Sequence, residues 1–361
     1  MGFSVSYVAS RRVMLSVKLM ARGLLLVSLY LAACEPQGIK LSAGSDIGKE
    51  SVVWPQPPNH PRIRFLRIVS RPEDLGIRPS FWKRVVEVVF GTEENWFIRP
   101  TGVAALGKTL YVADPGAQAF WILNPEAQRF TKIRSAGDQE LISPVAVTPG
   151  TKGRVYLADS YLGKVFVYSA EGNLVQTITG TNFLRPTGVA YDPIRDRLYV
   201  ADSGAHRVWI FSGDGRPAGL IGARGSANGE FNFPTHVAVD RTGNLYVTDA
   251  LNFRVQIFAP GGSFSGKFGR HGDTSGDFAG PKGVGLDSAG HVYIADTLFD
   301  GVQIFDPQGH YLLTFGQNGL GPGHFWLPGG LFVGSDDHIY VADSYNQRIQ
   351  IFEYLPGETH D

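Results

Sequence analysis

Pro234-Thr235-His236-Val237-Ala238-Val239-Asp240, followed by Arg241-Thr242-Gly243 and then by Asn244-Leu245-Tyr246-Val247-Thr248, is the stretch that decides the fold. A proline opens a short apolar run, a glycine-containing turn follows, and the next run alternates and is rich in β-branched and aromatic residues. Asp249-Ala250-Leu251-Asn252 breaks the alternation and Arg254-Val255-Gln256-Ile257-Phe258 resumes it. Ala259-Pro260-Gly261-Gly262 then turns the chain into a fourth run, Ser263–Phe268. Four short runs separated by Gly, Pro, Asp and Asn describe an antiparallel meander.

Outward from this unit, Tyr-(Val/Leu/Ile)-(Ala/Thr)-Asp recurs at Tyr111–Asp114, Tyr156–Asp159, Tyr199–Asp202, Tyr246–Asp249, Tyr293–Asp296 and Tyr340–Asp343, in steps of 45, 43, 47, 47 and 47 residues. A period of that size marks a β-propeller with one blade per repeat. One meander cannot bury both of its faces, whereas six in a ring can, each packing against two neighbours. The expected fold is therefore all-β: a six-bladed β-propeller of four-stranded antiparallel blades. The last repeat holds three runs, Gly330–Val333, Ile339–Ala342 and Gln347–Phe352, so an N-terminal strand is expected to close the ring. Arg62–Val69 alternates and is the segment expected there. Val85–Phe90 is its rival, but Ser80–Phe90 reads as a helix. Ser80 caps it, Phe81, Trp82, Val85, Val86, Val89 and Phe90 share one side, and Lys83, Arg84 and Glu87 point away.

The pattern Pro-x-Gly-Val-Ala, Tyr-Val-Ala-Asp, Asn-x-Arg-Val-x-Ile-Phe resembles the NHL repeat family of six-bladed propellers over roughly residues 92–355. Pro186-Thr187-Gly188-Val189-Ala190, Leu198–Asp202 and Arg207-Val208-Trp209-Ile210-Phe211 carry the resemblance, as do Tyr340–Asp343 and Arg348-Ile349-Gln350-Ile351-Phe352.

The chain has 361 residues and zero net charge. That balance argues against a nucleic-acid partner, for which a basic bias is expected. Its only cysteine, Cys34, follows Arg11, Arg12, Lys18, Arg22 and the apolar run Gly23–Ala33. The run is too short to span a bilayer and suits an export signal. Leu31-Ala32-Ala33-Cys34 resembles a bacterial lipobox, which implies cleavage before Cys34 and acylation of Cys34 (diacylglyceryl and palmitate-type chains). Glu35 in the following position implies, by resemblance to enterobacterial lipoproteins, the outer membrane. The expected division is a signal peptide at 1–33, a Pro-rich tether at 34–61 and the propeller at 62–361.

On a propeller, the loops joining outer strand to next inner strand share a face with those between second and third strands, and the resemblance makes that the ligand face. Candidates there are His206, His271, His324, Trp326, Tyr161, Tyr345, Arg99 and Arg185. The position two after each blade proline reads Gly102, Ala146, Gly188, His236, Gly283 and Gly330, so His236 alone is expected to project into the axial channel. Catalytic zinc generally takes three protein ligands, and the related peptidyl-hydroxyglycine lyases place histidines at this position in several blades. One histidine does not make that set, so no metal or cofactor is expected, Ca or Zn in the channel being the alternative. The six repeated aspartates read as caps for the following turns. Arg207, Arg254 and Arg348 read as their charge partners or as surface residues. Phe97, Phe183, Phe231, Phe278 and Phe325 recur three before the proline and are assigned to the core. Motifs for a serine nucleophile elbow, a nucleotide loop, a zinc protease, a haem site and an EF-hand are missing from the sequence. The function expected is a non-catalytic, lipid-anchored scaffold for an envelope protein or complex. The alternatives are a metal-dependent lactonase or lyase acting in the channel, and binding of a small ligand or glycan.

Overall fold

In the computed structural model, which describes residues 52–78, 96–178 and 183–356, each repeat folds into one four-stranded antiparallel sheet. Blade three shows the plan: inner strand Pro186–Asp192, second strand Arg197–Asp202, third strand Arg207–Ser212 and outer strand Pro217–Ile221. Pro186 lies opposite Asp202, and Asp202 opposite Arg207. The blade proline, the repeated aspartate and the start of the third strand therefore share one face of the ring. The same proline–aspartate pairing occurs in blades two, four, five and six.

Both faces of each blade are buried, which is why the second strands read as near-continuous apolar runs rather than as strict alternation. In Val155-Tyr156-Leu157-Ala158, Val155 and Leu157 pack with Tyr111, Phe120 and Ile122 of blade one. Tyr156 and Ala158 turn the other way, towards Val189, Tyr191 and Val200 of blade three. The period of two thus assigns alternate residues to successive inter-blade cores. Phe97, Phe183, Phe231, Phe278 and Phe325 are all buried in these cores, as expected. The inner strands crowd the axis: a Cβ on Gly188 would stand 2.6 Å from the Thr235 carbonyl oxygen, and one on Gly330 2.3 Å from that of Thr101. That crowding is why the position two after the proline stays small.

Ile63–Val69 closes the ring, pairing antiparallel with Arg348–Tyr354 from Ile63↔Tyr354 to Val69↔Ile349. Tyr340, Ala342, Ile349 and Ile351 then pack against Val103, Val112 and Trp121 of blade one. One boundary needs correction. Residues 52–61, expected to belong to the tether, contribute Val53–Trp54 as a fifth strand on the outer edge of blade six. The Trp54 ring lies 5.7 Å from that of Phe315 and 5.9 Å from that of Phe352, an apolar anchor that a tether would not make. The signal peptide, Cys34, tether residues 34–51 and the helix expected at 80–90 lie outside the described residues.

Candidate functional site

The six repeated aspartates are fully buried and work as caps, in two different ways. Asp114, Asp159, Asp202 and Asp296 are held chiefly by backbone N–H groups. Asp159 accepts from Ile142, Ser143, Tyr161 and Leu162, and Asp296 from Ala279, Gly280, Leu298 and Phe299. Burial still outweighs those four bonds at Asp296 and raises its pKa. Asp249 and Asp343 instead pair with Arg254 (2.8 Å) and Arg348 (2.7 Å). Each arginine directs its other N–H groups to loop carbonyls: Arg254 to Ser226, Ala227 and Glu230, and Arg348 to Leu320, Gly321 and His324. Arg207 does neither. Its guanidinium donates to the Ala205 carbonyl and lies 5.5 Å from the Trp209 ring centre, while Trp209 Nε1 donates to Asp202.

Three glutamines that sequence reasoning passed over fasten the same face. Gln256, Gln303 and Gln350 each accept a loop N–H (Gly229, Gly276, Gly323) and donate to a loop carbonyl (Glu230, Asp277, His324). The signal was in the recurrent Val-Gln-Ile-Phe and Ile-Gln-Ile-Phe of the third strands. With loops pinned from below, their tips form a rigid face.

That face is apolar at its rim. Ile98, Leu184 and Trp326 occupy one repeated position, two before the blade proline; Tyr161, Leu251, Leu298 and Tyr345 occupy another, two after the aspartate. All seven are exposed, from 46% for Trp326 and Tyr345 to 76% for Tyr161. Trp326 and Tyr345 meet at 5.6 Å between ring centres, and Arg99 lies 5.9 Å from the Tyr345 ring.

Inside the rim a funnel of about 640 Å³ descends towards the axis. Of the sequence candidates it gathers Arg99, Arg185, Tyr345 and His236. It adds Lys282 and Thr235, which the sequence reading did not single out. Its wall carries hydroxyls from every blade, but most are committed. Thr101, Thr187 and Thr297 donate to the carbonyls of Val145, Pro234 and Pro328, and Ser344 to that of Pro100. Two polar atoms are not committed: the Thr235 hydroxyl and His236 Nδ1 are buried without a hydrogen-bond partner. Below the funnel a narrower channel of about 120 Å³ is lined mainly by valine, alanine, leucine and glycine of the inner strands, with His236 again in its wall.

His236 is half-buried by surface area, but protein closes round its ring. Burial, and then the charge of Lys282, push its pKa down to about 3, so the imidazole is neutral. Lys282 is open to solvent by surface area, yet the surrounding walls lower its pKa as well, as for a charge held in a concavity.

The other histidines do not join this site. His206, expected on the ligand face, is only 8% exposed; its Nδ1 accepts the Phe233 N–H at 3.2 Å and its ring packs edge-on against Phe233. That bond fixes a loop and removes His206 from the surface. His271 packs against Phe253 at 4.4 Å, and His324 is 3.3 Å from the Gln317 amide. Among the described residues no three His, Cys, Asp or Glu side chains are grouped as a metal site.

Comparison with known proteins agrees with this architecture. The NHL repeat model matches residues 183–211, 231–258 and 325–352, and these segments are NHL repeats of a six-bladed propeller. A protein of unknown function from Bacteroides thetaiotaomicron is 19% identical, with 73% of this chain and 71% of that one covered and a TM-score of 0.58. An auxiliary nutrient binding protein from the same organism is 12% identical (72% and 70% covered, TM-score 0.56). Virginiamycin B lyase from Staphylococcus aureus is 13% identical (72% and 96% covered, TM-score 0.54). At these identities the likeness is one of fold. A search of curated proteins found no match.

Proposed function

We propose that this chain is a lipid-anchored protein of the bacterial cell envelope, carried on the outer membrane through Cys34, whose loop face binds another envelope protein and performs no chemistry of its own. The observation that carries the reading is the distribution of exposed apolar groups. Ile98, Tyr161, Leu184, Leu251, Leu298, Trp326 and Tyr345 all stand on one face, at positions the repeat brings into register. Large apolar patches on one face mark interaction surfaces, and aromatics with a neighbouring arginine are the side chains that carry most interface energy. The Arg254 and Arg348 clamps do not touch the partner; they keep the loops from reorganising on contact, which lowers the entropic cost of association.

A hydrolytic or lyase reading needs a convergent acid, base or ligand set. The funnel offers one neutral histidine, and the likeness to a lyase extends to fold alone. The test is affinity capture of the full-length chain from detergent-solubilised envelopes. A protein recovered in stoichiometric amount, lost on Trp326→Ala, Tyr345→Ala or Tyr161→Ala and retained on Ile194→Ala (a 69% exposed side chain in a turn on the opposite face), is the expected result. Capture that responds equally to Ile194→Ala, or that ignores all three aromatic changes, refutes it.

A further inference from the structure

Beneath the apolar rim, the funnel carries charge of one sign. Its wall contains Arg99, Arg185 and Lys282 and not one carboxylate side chain, in a chain whose net charge is zero. The three cations come from blades one, three and five, so they stand on alternate sides of the axis. Among the described residues, none of the three takes part in an ion pair; Arg99 has the Tyr345 ring at 5.9 Å as its neighbour. The aspartates nearest to them are turned into the protein. Asp114 accepts the backbone N–H of Arg99, and Asp202 that of Arg185, leaving both guanidinium groups without a carboxylate.

The uncommitted polar atoms lie next to the third cation. Thr235 and His236 belong to the inner strand of blade four, and Lys282 to that of blade five beside it. The equivalent threonines, Thr101 and Thr187, each donate to a carbonyl of the next blade, whereas the Thr235 hydroxyl has no such acceptor. A buried hydroxyl and a buried ring nitrogen without partners cost free energy unless something else satisfies them. Lys282 supplies charge, Thr235 a hydroxyl donor, and the neutral His236 ring one N–H or one lone pair, according to tautomer. Clefts walled by protein and lined by one sign of charge concentrate counter-ions. The volume, about 640 Å³, is that of a small-molecule site and not of a water-filled dimple.

We propose that the funnel binds a small organic polyanion, with one carboxylate or phosphate group seated on Lys282, Thr235 and His236 and a second reaching Arg99 or Arg185. A single-charge ligand would satisfy one cation and leave the other two facing each other across the opening, so two or more anionic groups fit better. The aromatic and aliphatic rim then covers the ligand's carbon skeleton. This site stands whether or not the rim also binds a protein, because Lys282, Thr235 and His236 belong to inner strands and not to the rim loops.

Citrate and pyrophosphate serve as probes, titrated calorimetrically into the full-length chain in detergent at physiological salt. Saturable binding of one probe molecule per chain is expected; preference for citrate assigns a polycarboxylate, preference for pyrophosphate a phosphorylated compound. Lys282→Met, and the double change of Arg99→Gln with Arg185→Gln, should each weaken binding at least tenfold. Thr235→Val should weaken it without any change of charge. Lys108→Met removes an exposed lysine from a turn on the opposite face and should leave it unchanged. Thermal unfolding of every variant, compared with the parent, separates loss of the site from loss of the fold. The proposal is overturned if neither probe saturates while the parent is folded, or if Lys108→Met weakens binding as much as Lys282→Met. It is likewise overturned if only an acidic peptide such as hexaglutamate binds, since the funnel would then receive a side chain of a protein partner.

Discussion

Arg207, Arg254 and Arg348 occupy the same place in the repeat, yet their removal should have very different consequences. In Arg254→Met, Asp249 loses its ion pair while remaining fully buried, the Ser226 carbonyl loses its donor, and the Ala227 carbonyl keeps only the Glu230 N–H. Asp249 keeps the Asn232 N–H and the amides of Asn252 and Gln256. Breaking a buried ion pair from one side costs about 3–5 kcal/mol, and these surviving bonds place the loss near the lower end, about 3 kcal/mol. Arg348→Met should match it, because Asp343 retains the same three kinds of donor, Trp326 N–H, Asn346 and Gln350. Arg207→Met removes one bond to the Ala205 carbonyl and a stacking contact on Trp209, while Asp202 keeps its backbone donors and Trp209 Nε1. Its cost should be about 0.5–1 kcal/mol. For a body of about 300 residues, unfolding entropy near 2.1 cal/mol/K per residue makes 1 kcal/mol worth about 1.6 °C in Tm. Thermal unfolding at one fixed scan rate should therefore show drops of about 5 °C for Arg254→Met and Arg348→Met and about 1 °C for Arg207→Met. Adding Asp249→Asn to Arg254→Met should recover part of the loss, because a buried amide costs less than an unpaired carboxylate. Equal drops for all three arginines would refute the division of the aspartates into backbone-held and arginine-clamped caps.

Two further outcomes follow from the packing. His236 has a folded pKa near 3 against 6.5 for a free imidazole, so below pH 6.5 the unfolded chain takes up its proton first. Its contribution to stability is complete above pH 6.5 and is lost as pH falls towards 3, at about 1.4 kcal/mol per pH unit inside that window. Replacing it by the glycine of its sister blades (His236→Gly) should flatten the acid limb by about that slope, and urea unfolding at pH 6.5 and 4.5 that shows parallel losses in both proteins would contradict this. Trp54→Ala should cost about 2 kcal/mol by emptying the contact with Phe315 and Phe352, and should raise hydrogen exchange in Ile63–Val69 before any other strand; unchanged protection there would show that the fifth strand is not holding the closure.

The ring was legible because its evidence repeats. Six copies of Tyr-x-x-Asp fix six sheets, and the period-two patterning within Val155-Tyr156-Leu157-Ala158 sends alternate side chains to opposite neighbours. The closing strand could be named because Arg62–Val69 alternates while the last repeat lacks a fourth run. Val53–Trp54 was missed because two residues carry no period, and Pro55, Pro57 and Pro58 around them imitate a linker. His206 lies deeper than expected for a related reason: loop membership predicts exposure, but its ring accepts the Phe233 N–H and packs edge-on against Phe233, a contact from the next loop that the repeat does not announce.

The functional face shows a different limit. Repetition identifies what each blade must do to fold, so the residues that serve one site appear as breaks in the repeat, and only if the right column is read. Reading the position two after the proline finds His236. The position one after it runs Thr101, Val145, Thr187, Thr235, Lys282 and Gly329, where Lys282 is the single charge, and it points to the same cavity from the adjoining blade. Loop length supplies the other missing piece. Arg254 and Arg348 face loops 222–233 and 316–327, long enough to fold their carbonyls back over a guanidinium. Blade five has an equally long loop, 269–280, but Gly301 where an arginine would stand. There the loop is braced from within, by Asp277 bonded to Arg270 and Thr274, and Gln303 ties it to the third strand. Blade five thus anchors this loop without an arginine on its third strand, and its break from the repeat that reaches the funnel is Lys282 on the inner strand. An arginine at position 301 would lie opposite Asp296, as Arg254 lies opposite Asp249, and like Arg254 it would stay outside the funnel wall. The breaks that serve the funnel, His236 in blade four and Lys282 in blade five, are therefore those of two adjacent inner strands, and this adjacency is what separates a site from ordinary drift in a repeated sequence.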